Sequence, residues 1–399
     1  MPFLLVRIIA VWHRPALPQS EPCSTIGDEG LNFCVRNGNR CNTLSIGASK
    51  ERLLGAPFRS SKNKKKNCDL QKDPNRALLD VAAFQRCSVS TGTSGKKRRI
   101  VLIVGVLALL LFGAFQFFVH TFPGVILQGM YAYYAFKADV ELKRVSVDGY
   151  EIPYYRGGQG PSLVLVHGFG DSKISFLQSA AELSRHYDVI LPDVPGFGET
   201  QESPDRSYSI RSQAETLNQF FEKIGLKQFH LVGNSMGGHI SAAYTLLFPQ
   251  KVQTLVLIDA AGLRVDDPVP YKASQAPLRT VEDFDQYISE TFARKPWIPQ
   301  AFKLHFVANS IQNFDWFNRI RQDIREGQDY ILNDRVASIQ NQTLILWGDS
   351  DTVVSPANAQ VWSQLLPHST LIFLDQTGHA PQYERPLDTA RIIESFLLQ

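Results

Sequence analysis

Residues 140–399 predict an α/β fold: a mostly parallel, eight-stranded sheet with helices on both faces and a helical cap inserted in its second half. Three observations carry this. Val145–Val147 and Ile152–Tyr155 alternate around Asp148-Gly149, a dipeptide suited to a tight hairpin turn, so the region opens with two antiparallel strands. Six short apolar runs follow, Leu163–Val166, Val189–Leu191, Phe229–Val232, Leu255–Ile258, Leu344–Leu346 and Leu371–Leu374. They end in Gly, Asp or Ser and alternate with helical patterns, as buried parallel strands joined by crossover helices do. Finally, more than eighty residues between Ile258 and Leu344 hold no comparable strand, but carry aromatic helical pieces with Phe284, Tyr287, Phe292, Trp297, Phe302, Phe306, Phe314, Trp316 and Phe317. A structureless loop of that length does not suit a compact domain. Residues 263–338 are therefore expected to cap the strand ends, where open α/β sheets bind their ligands.

Charge divides the chain in two. Residues 1–99 carry eighteen Lys and Arg against seven Asp and Glu, whereas residues 100–399 carry 23 against 31, so the overall +3 hides a basic tail and a mildly acidic catalytic half. The basic excess lies in runs such as Lys62, Lys64, Lys65 and Lys66, outside any periodic segment, and an acidic folded half argues against nucleic acid as partner. Residues 1–95 lack a sustained period and are expected to be a low-complexity, mostly disordered basic tail. All five cysteines lie there, at spacings that match no zinc pattern, so residues 140–399 fold without disulfides.

Ile100–Val119 is twenty residues without charge, long enough to cross about 30 Å of hydrocarbon, and follows Lys96, Lys97, Arg98 and Arg99. Residues 96–120 read as a transmembrane anchor in preference to a cleaved signal, because the run is long and no small-x-small cleavage site follows Ala114. The basic flank places the catalytic half on the non-cytoplasmic side. Residues 121–139, with Tyr131, Tyr133, Tyr134 and Phe136, read either as an aromatic segment along the membrane surface or as a helix packed on the catalytic core. A tail ahead of such a segment also fits a start site placed too far upstream.

The strongest chemical signal is Gly233-Asn234-Ser235-Met236-Gly237-Gly238, between the run ending at Val232 and the helical pattern Ile240–Leu247. A serine at such a strand-to-helix apex is held in a strained backbone conformation that projects its hydroxyl above the sheet, with Gly233 and Gly237 making room. The helix N-terminus favours the negative charge that develops in attack. A buried Gly-rich turn is the plainer alternative, and the strand–turn–helix setting decides for Ser235 as nucleophile.

A base must come later in the chain, from another element. His239 lies on the helix just begun and points away; His305 falls in the predicted cap; His368 precedes a strand, at its wrong end. His379 follows the last strand, in the loop on the same sheet edge as Ser235, and is the best base. The loop after Leu344–Leu346 offers Asp349 and Asp351 as acid; Asp351, farther into the loop, is preferred, with Asp349 left as a turn cap. The backbone N–H groups of Phe169, in His167-Gly168-Phe169-Gly170, and of Met236 are the expected oxyanion donors.

Taken together, HGFG from His167, LPDVPGFGET from Leu191, HLVGNSMGGHI from His230, LIDAAGL from Leu257, KPWIP from Lys295, LWGDSD from Leu346 and GHAPQYERP from Gly378 resemble the α/β-hydrolase superfamily over residues 140–399. The likeness is strongest to membrane-anchored monoacylglycerol lipases of the alpha/beta-hydrolase domain 6 type and related bacterial lipases. The resemblance implies that Ser235, Asp351 and His379 form a triad, with Phe169 and Met236 as oxyanion donors. It does not cover the basic tail. It implies hydrolysis of a lipid ester such as monoacylglycerol through an acyl-enzyme, at a membrane, with no metal or organic cofactor. The alternative is a carbon–carbon bond hydrolase of the meta-cleavage-product type, which shares the GNSMGG block; anion-binding arginines such as Arg264 or Arg319 converging under the cap would favour it. A membrane-tethered binding module that has lost catalysis is a further reading, but no triad member is missing. Oligomeric state has no signature in the sequence.

Overall fold

The computed structural model describes residues 32–37, 40–45, 95–200, 202–265 and 276–399. It divides into two units, residues 14–109 and residues 1–13 with 110–399. In the first, β1 (Asn32–Asn37) and β2 (Arg40–Ser45) form an antiparallel hairpin, which no strand period announces. The rest of the expectation for residues 1–94 lies outside the described residues. Helix α1 (Gly95–Thr121) contains the span Lys97–Thr121, long and apolar enough to cross a membrane by length and composition.

α2 (Pro123–Lys137) begins one residue after α1, with Pro123 at its first turn, where a missing N–H costs nothing. Leu127, Tyr131 and Ala135 recur at helical spacing and are buried in the same core as Ile174, Phe176, Leu177 and Tyr383. The segment is thus a helix packed on the catalytic domain by one face. Its opposite face leaves Phe122, Val125, Tyr133 and Phe136 exposed.

The catalytic sheet has eight strands in the order β10-β9-β8-β7-β5-β6-β4-β3. β3 (Val140–Val147) and β4 (Tyr150–Gly157) are antiparallel around Asp148-Gly149, and both turn residues have positive φ, 46° and 78°, as a two-residue hairpin of this hand requires. β4 also pairs antiparallel with β6 (Asp188–Pro192), while β5 (Ser162–Val166), β6, β7 (Phe229–Asn234), β8 (Val252–Ile258), β9 (Gln342–Gly348) and β10 (Ser369–Leu374) run parallel. The strands are continuous apolar runs because both faces are covered. Leu163 and Leu165 enter one core with Leu344 and Leu346, whereas Val164 and Val166 enter the other with Ile345 and Trp347. Each such fully buried side chain contributes about 1.5–3 kcal/mol relative to exposure.

Crossovers α3 (Leu177–Leu183), α4 (Ile210–Lys223), α5 (Met236–Leu247) and α8 (Ala357–Leu365) join the strands, and α9 (Pro381–Glu384) and α10 (Pro386–Leu397) close the chain. α6 (Val281–Thr291) and α7 (Gln300–Glu326) occupy the interval between β8 and β9 as the expected helical cap, of which residues 266–275 lie outside the described residues. α6 starts on a capping box in which Thr280 and Asp283 satisfy each other's backbone N–H. Phe284 and Phe306 then stack across the helix pair, with ring centres 5.6 Å apart.

Candidate active site

Ser235 sits between β7 and α5 with φ 54° and ψ −118°, a strained position for a residue with a side chain. The turn closes only around small neighbours. A Cβ on Gly233 would come within 2.2 Å of the Gly237 carbonyl oxygen, and one on Gly237 within 2.3 Å of the Val166 oxygen. Hydrogen bonds from Ser235 N–H to the Ile258 oxygen (2.9 Å) and from Ala261 N–H to the Ser235 oxygen (3.2 Å) tie this turn to the neighbouring strand end.

His379 and Asp351 arrive from the loops after β10 and β9, adjacent parallel strands whose C-terminal ends share one edge. Ser235 Oγ–H donates to His379 Nε2 at 2.9 Å, and His379 Nδ1–H donates to Asp351 Oδ2 at 2.7 Å. The tautomer follows from the partners, a carboxylate on one side and a hydroxyl on the other. Asp351 Oδ1 accepts from Val353 N–H (2.7 Å) and Val354 N–H (3.0 Å), so its carboxylate is fixed on both oxygens. All three side chains are buried. Asp349 takes the other role expected of that loop: its Oδ1 accepts from Ser350 Oγ–H (2.8 Å) and Thr377 N–H (3.3 Å).

Phe169 and Met236 flank Ser235 along a single cleft. Among the described residues, neither backbone N–H donates to another protein atom, which leaves both available to an oxyanion. The Phe169 loop is held close by His167, which is buried: its Nδ1–H donates to the Gly168 oxygen (2.8 Å), and its Nε2 accepts from Val194 N–H (2.9 Å). Burial pushes its pKa down, keeping the neutral ring that this pair of bonds requires.

The other histidines fall elsewhere. His239 Nε2–H donates to the Asp329 oxygen (2.7 Å), away from the nucleophile; His305 Nε2 accepts from Asn309 Nδ2–H (3.2 Å) within α7; and the His368 oxygen accepts at the start of β9. Sequence reasoning passed over Asn234 and Gln382. Asn234 Nδ2–H bonds the His379 oxygen and the Ile258 oxygen, both at 3.2 Å, and Gln382 Nε2–H donates to Asn234 Oδ1 at 3.0 Å. The second position of the Gly233–Gly237 pentapeptide carried that signal, since its amide reaches the neighbouring strand end and the His379 loop.

Two cavities meet at Ser235. One, of about 450 Å³, runs under the cap past Phe169, Phe197, Phe306, Phe314 and Phe317. Phe169 packs edge-on against Phe197 (5.1 Å) and Phe317 (5.6 Å), an apolar wall beside Ser235. The other, of about 340 Å³, lies towards Met236, Leu263, Arg264 and Val354.

An elbow serine, a carboxylate and a histidine supplied in that chain order from the C-terminal edge of a mostly parallel sheet define the class. The chain belongs to the alpha/beta hydrolase fold family, whose model matches residues 161–386. It is 30% identical to Lipase 1 of Psychrobacter immobilis over 271 residues, 65% of this chain and 85% of that one. With the mouse (Mus musculus) protein monoacylglycerol lipase ABHD6 it shares 27% over 294 residues, 69% of this chain and 88% of that one. Among solved structures, a membrane phospholipase A described as a bacterial virulence factor superposes with a TM-score of 0.66 at 33% identity, covering 73% of this chain and 97% of that one. The chain is a serine ester hydrolase of this family.

Proposed function

We propose that the protein hydrolyses lipid esters, monoacylglycerol among them, through an acyl-enzyme on Ser235. The carrying observation is the unbroken hydrogen-bonded line Ser235–His379–Asp351 opening onto an aromatic cavity under the cap. Ser235 Oγ attacks the ester carbonyl as His379 Nε2 takes its proton; Asp351 orients the ring and stabilises the imidazolium. The N–H groups of Phe169 and Met236 receive the oxyanion, and His379 returns the proton to the departing alcohol. Water then repeats the sequence against the acyl-enzyme and frees the fatty acid.

The apolar cavity suits an acyl chain. The relatives, two lipases and a membrane phospholipase, and the membrane-length helix α1 support a substrate that resides in lipid. α1 anchors the protein as a single span, with Lys97, Arg98 and Arg99 at its cytoplasmic end and the catalytic domain on the non-cytoplasmic side. The exposed apolar face of α2 continues directly from that anchor and lies at the level of the lipid interface.

Turnover of p-nitrophenyl esters of graded chain length and of monoacylglycerols by the detergent-solubilised chain tests this. Activity that rises with acyl length is expected; a folded protein that turns over no ester overturns the reading. One observation favours the carbon–carbon alternative: Arg264 lines the second cavity beside Ser235. Arg319 does not join it, its guanidinium lying 5.9 Å from the Trp316 ring centre. Turnover of a vinylogous diketone acid in place of esters would select that alternative.

A further inference from the structure

Asp259 is a fully buried carboxyl that the proposed chemistry does not use. It follows β8, the strand between the one that delivers Ser235 and the one that leads to Asp351, and so stands at the same sheet edge. Its φ of 44° lies in the left-handed region, and its own N–H donates to the Leu346 oxygen at 3.1 Å. One oxygen, Oδ1, accepts from Gly348 N–H at 2.9 Å. The other, Oδ2, is buried with no N–H or hydroxyl donor to it among the described residues. Among its polar neighbours are the triad groups: a carboxylate oxygen of Asp259, one of Asp351 and a ring nitrogen of His379 lie within 4.8 Å of one another.

Two carboxyl groups this close in a dry site cannot both be charged. Asp351 holds the charge, because two backbone N–H groups and the His379 Nδ1–H all point at it. Asp259 has one such donor, so the shared proton stays on Asp259. Its pKa is pushed well above the ordinary carboxylate range, first by burial and then by the Asp351 charge. His379, within 4.8 Å, and Glu384, on α9, are further ionisable groups that bear on it.

We propose that Asp259 is a second carboxyl of the acid position: a positioning residue that donates its proton to Asp351 in the resting site and replaces it as acceptor of the His379 Nδ1–H when Asp351 is neutralised. The exchange is balanced. Once the Asp351 charge is removed, Asp259 releases its proton to solvent and carries the single negative charge that the imidazolium requires. The sheet makes this available because two neighbouring strands, β8 and β9, end against the same histidine. The inference rests on the roles proposed above for Ser235, His379 and Asp351.

The test is the rate at which a fluorophosphonate labels Ser235 in the full-length protein in detergent, with kcat and KM on a short p-nitrophenyl ester, for the wild type, Asp259→Asn, Asp351→Asn and the double variant. Asp259→Asn should lose only a few-fold in kcat with KM unchanged, since an amide still donates to Asp351. Asp351→Asn should lose roughly a hundredfold, less than a triad with no second carboxyl, and the double variant at least a further tenfold. In Asp351→Asn the acid limb of the labelling rate should fall with the second power of proton concentration, one proton for His379 and one for Asp259, against the first power in the wild type. A double variant as fast as Asp351→Asn, or a first-power limb in Asp351→Asn, would overturn the proposal. The limb alone decides if the double variant does not fold. A wild type that is not labelled at all would instead remove the nucleophile reading, and this inference with it.

Discussion

The oxygen of Ser235 and the Nε2 of His379 are 2.9 Å apart although 144 positions of chain separate them. Four neighbouring parallel strands, β7 to β10, end at the edge where they meet, and the distance is that of a formed hydrogen bond.

Replacing Ser235, the proposed nucleophile, tests that bond most directly. Ser235→Ala should lower kcat by at least about a thousandfold, with residual turnover from the oxyanion donors alone, and should abolish fluorophosphonate labelling. Circular dichroism should be unchanged. Labelling that persists would place the nucleophile elsewhere.

Asn234 braces the histidine through its backbone. Asn234→Ala deprives the His379 and Ile258 oxygens of a donor and frees Gln382 from its acceptor. A buried group left without its partner costs about 1–3 kcal/mol. Steady-state kinetics should record a loss of roughly tenfold in kcat with KM little changed, as a displaced base requires. A change confined to KM would contradict the bracing role.

In the proposed mechanism Phe169 serves the oxyanion through its backbone and shapes the cavity through its ring. In Phe169→Ala the N–H remains, but the contacts with Phe197 and Phe317 and with the Arg321 guanidinium, 4.9 Å from its ring centre, are lost. Short-chain esters should keep kcat within a few-fold, while KM for long-chain esters changes several-fold. An equal collapse of kcat for every chain length would argue that the ring, rather than the amide, serves the reaction.

Lys173 secures the loop that leads from β6 to α4. Its ammonium, 3% exposed, reaches Asp193 at 2.9 Å and Glu199 at 2.7 Å, and Asp193 is fully buried. Burial works against the charge on Lys173, but the two carboxylates outweigh it and raise its pKa. Lys173→Met would strand the Asp193 charge, a change that costs about 3–5 kcal/mol. Urea unfolding should register that loss; a shift below about 1 kcal/mol would mean that the pair is hydrated in solution.

Acid should destabilise the fold through His239. Burial pushes its pKa down to about 4 from the ordinary 6.5, so the unfolded chain binds the proton first. The neutral ring therefore contributes stability above the unfolded value, and that stability drains away as pH falls from about 6.5 towards 4, by on the order of 3 kcal/mol. His239→Gln, which retains a donor for the Asp329 oxygen, should flatten the melting temperature over that window. An unchanged slope would assign acid sensitivity to other groups.

The order of strands and helices was legible because parallel strands covered on both faces must be continuous apolar runs, and the Leu163–Val166 and Leu344–Leu346 runs have no other reading. The strained turn at Ser235 was legible because it demands small residues at Gly233 and Gly237. Asp351 and His379 were legible by chain order and loop position. The sequence by itself thereby determined the layered sheet, the cap between β8 and β9, the serine on its elbow and the apolar span before the domain. Only the tertiary structure decided that α2 packs on the core by one face, that Asn234 and Gln382 brace the base, and that Asp259 lies against Asp351. These depend on which elements become neighbours: β8 carries no local pattern that announces a carboxyl partner across the sheet edge, and apolar side chains lie on both faces of α2.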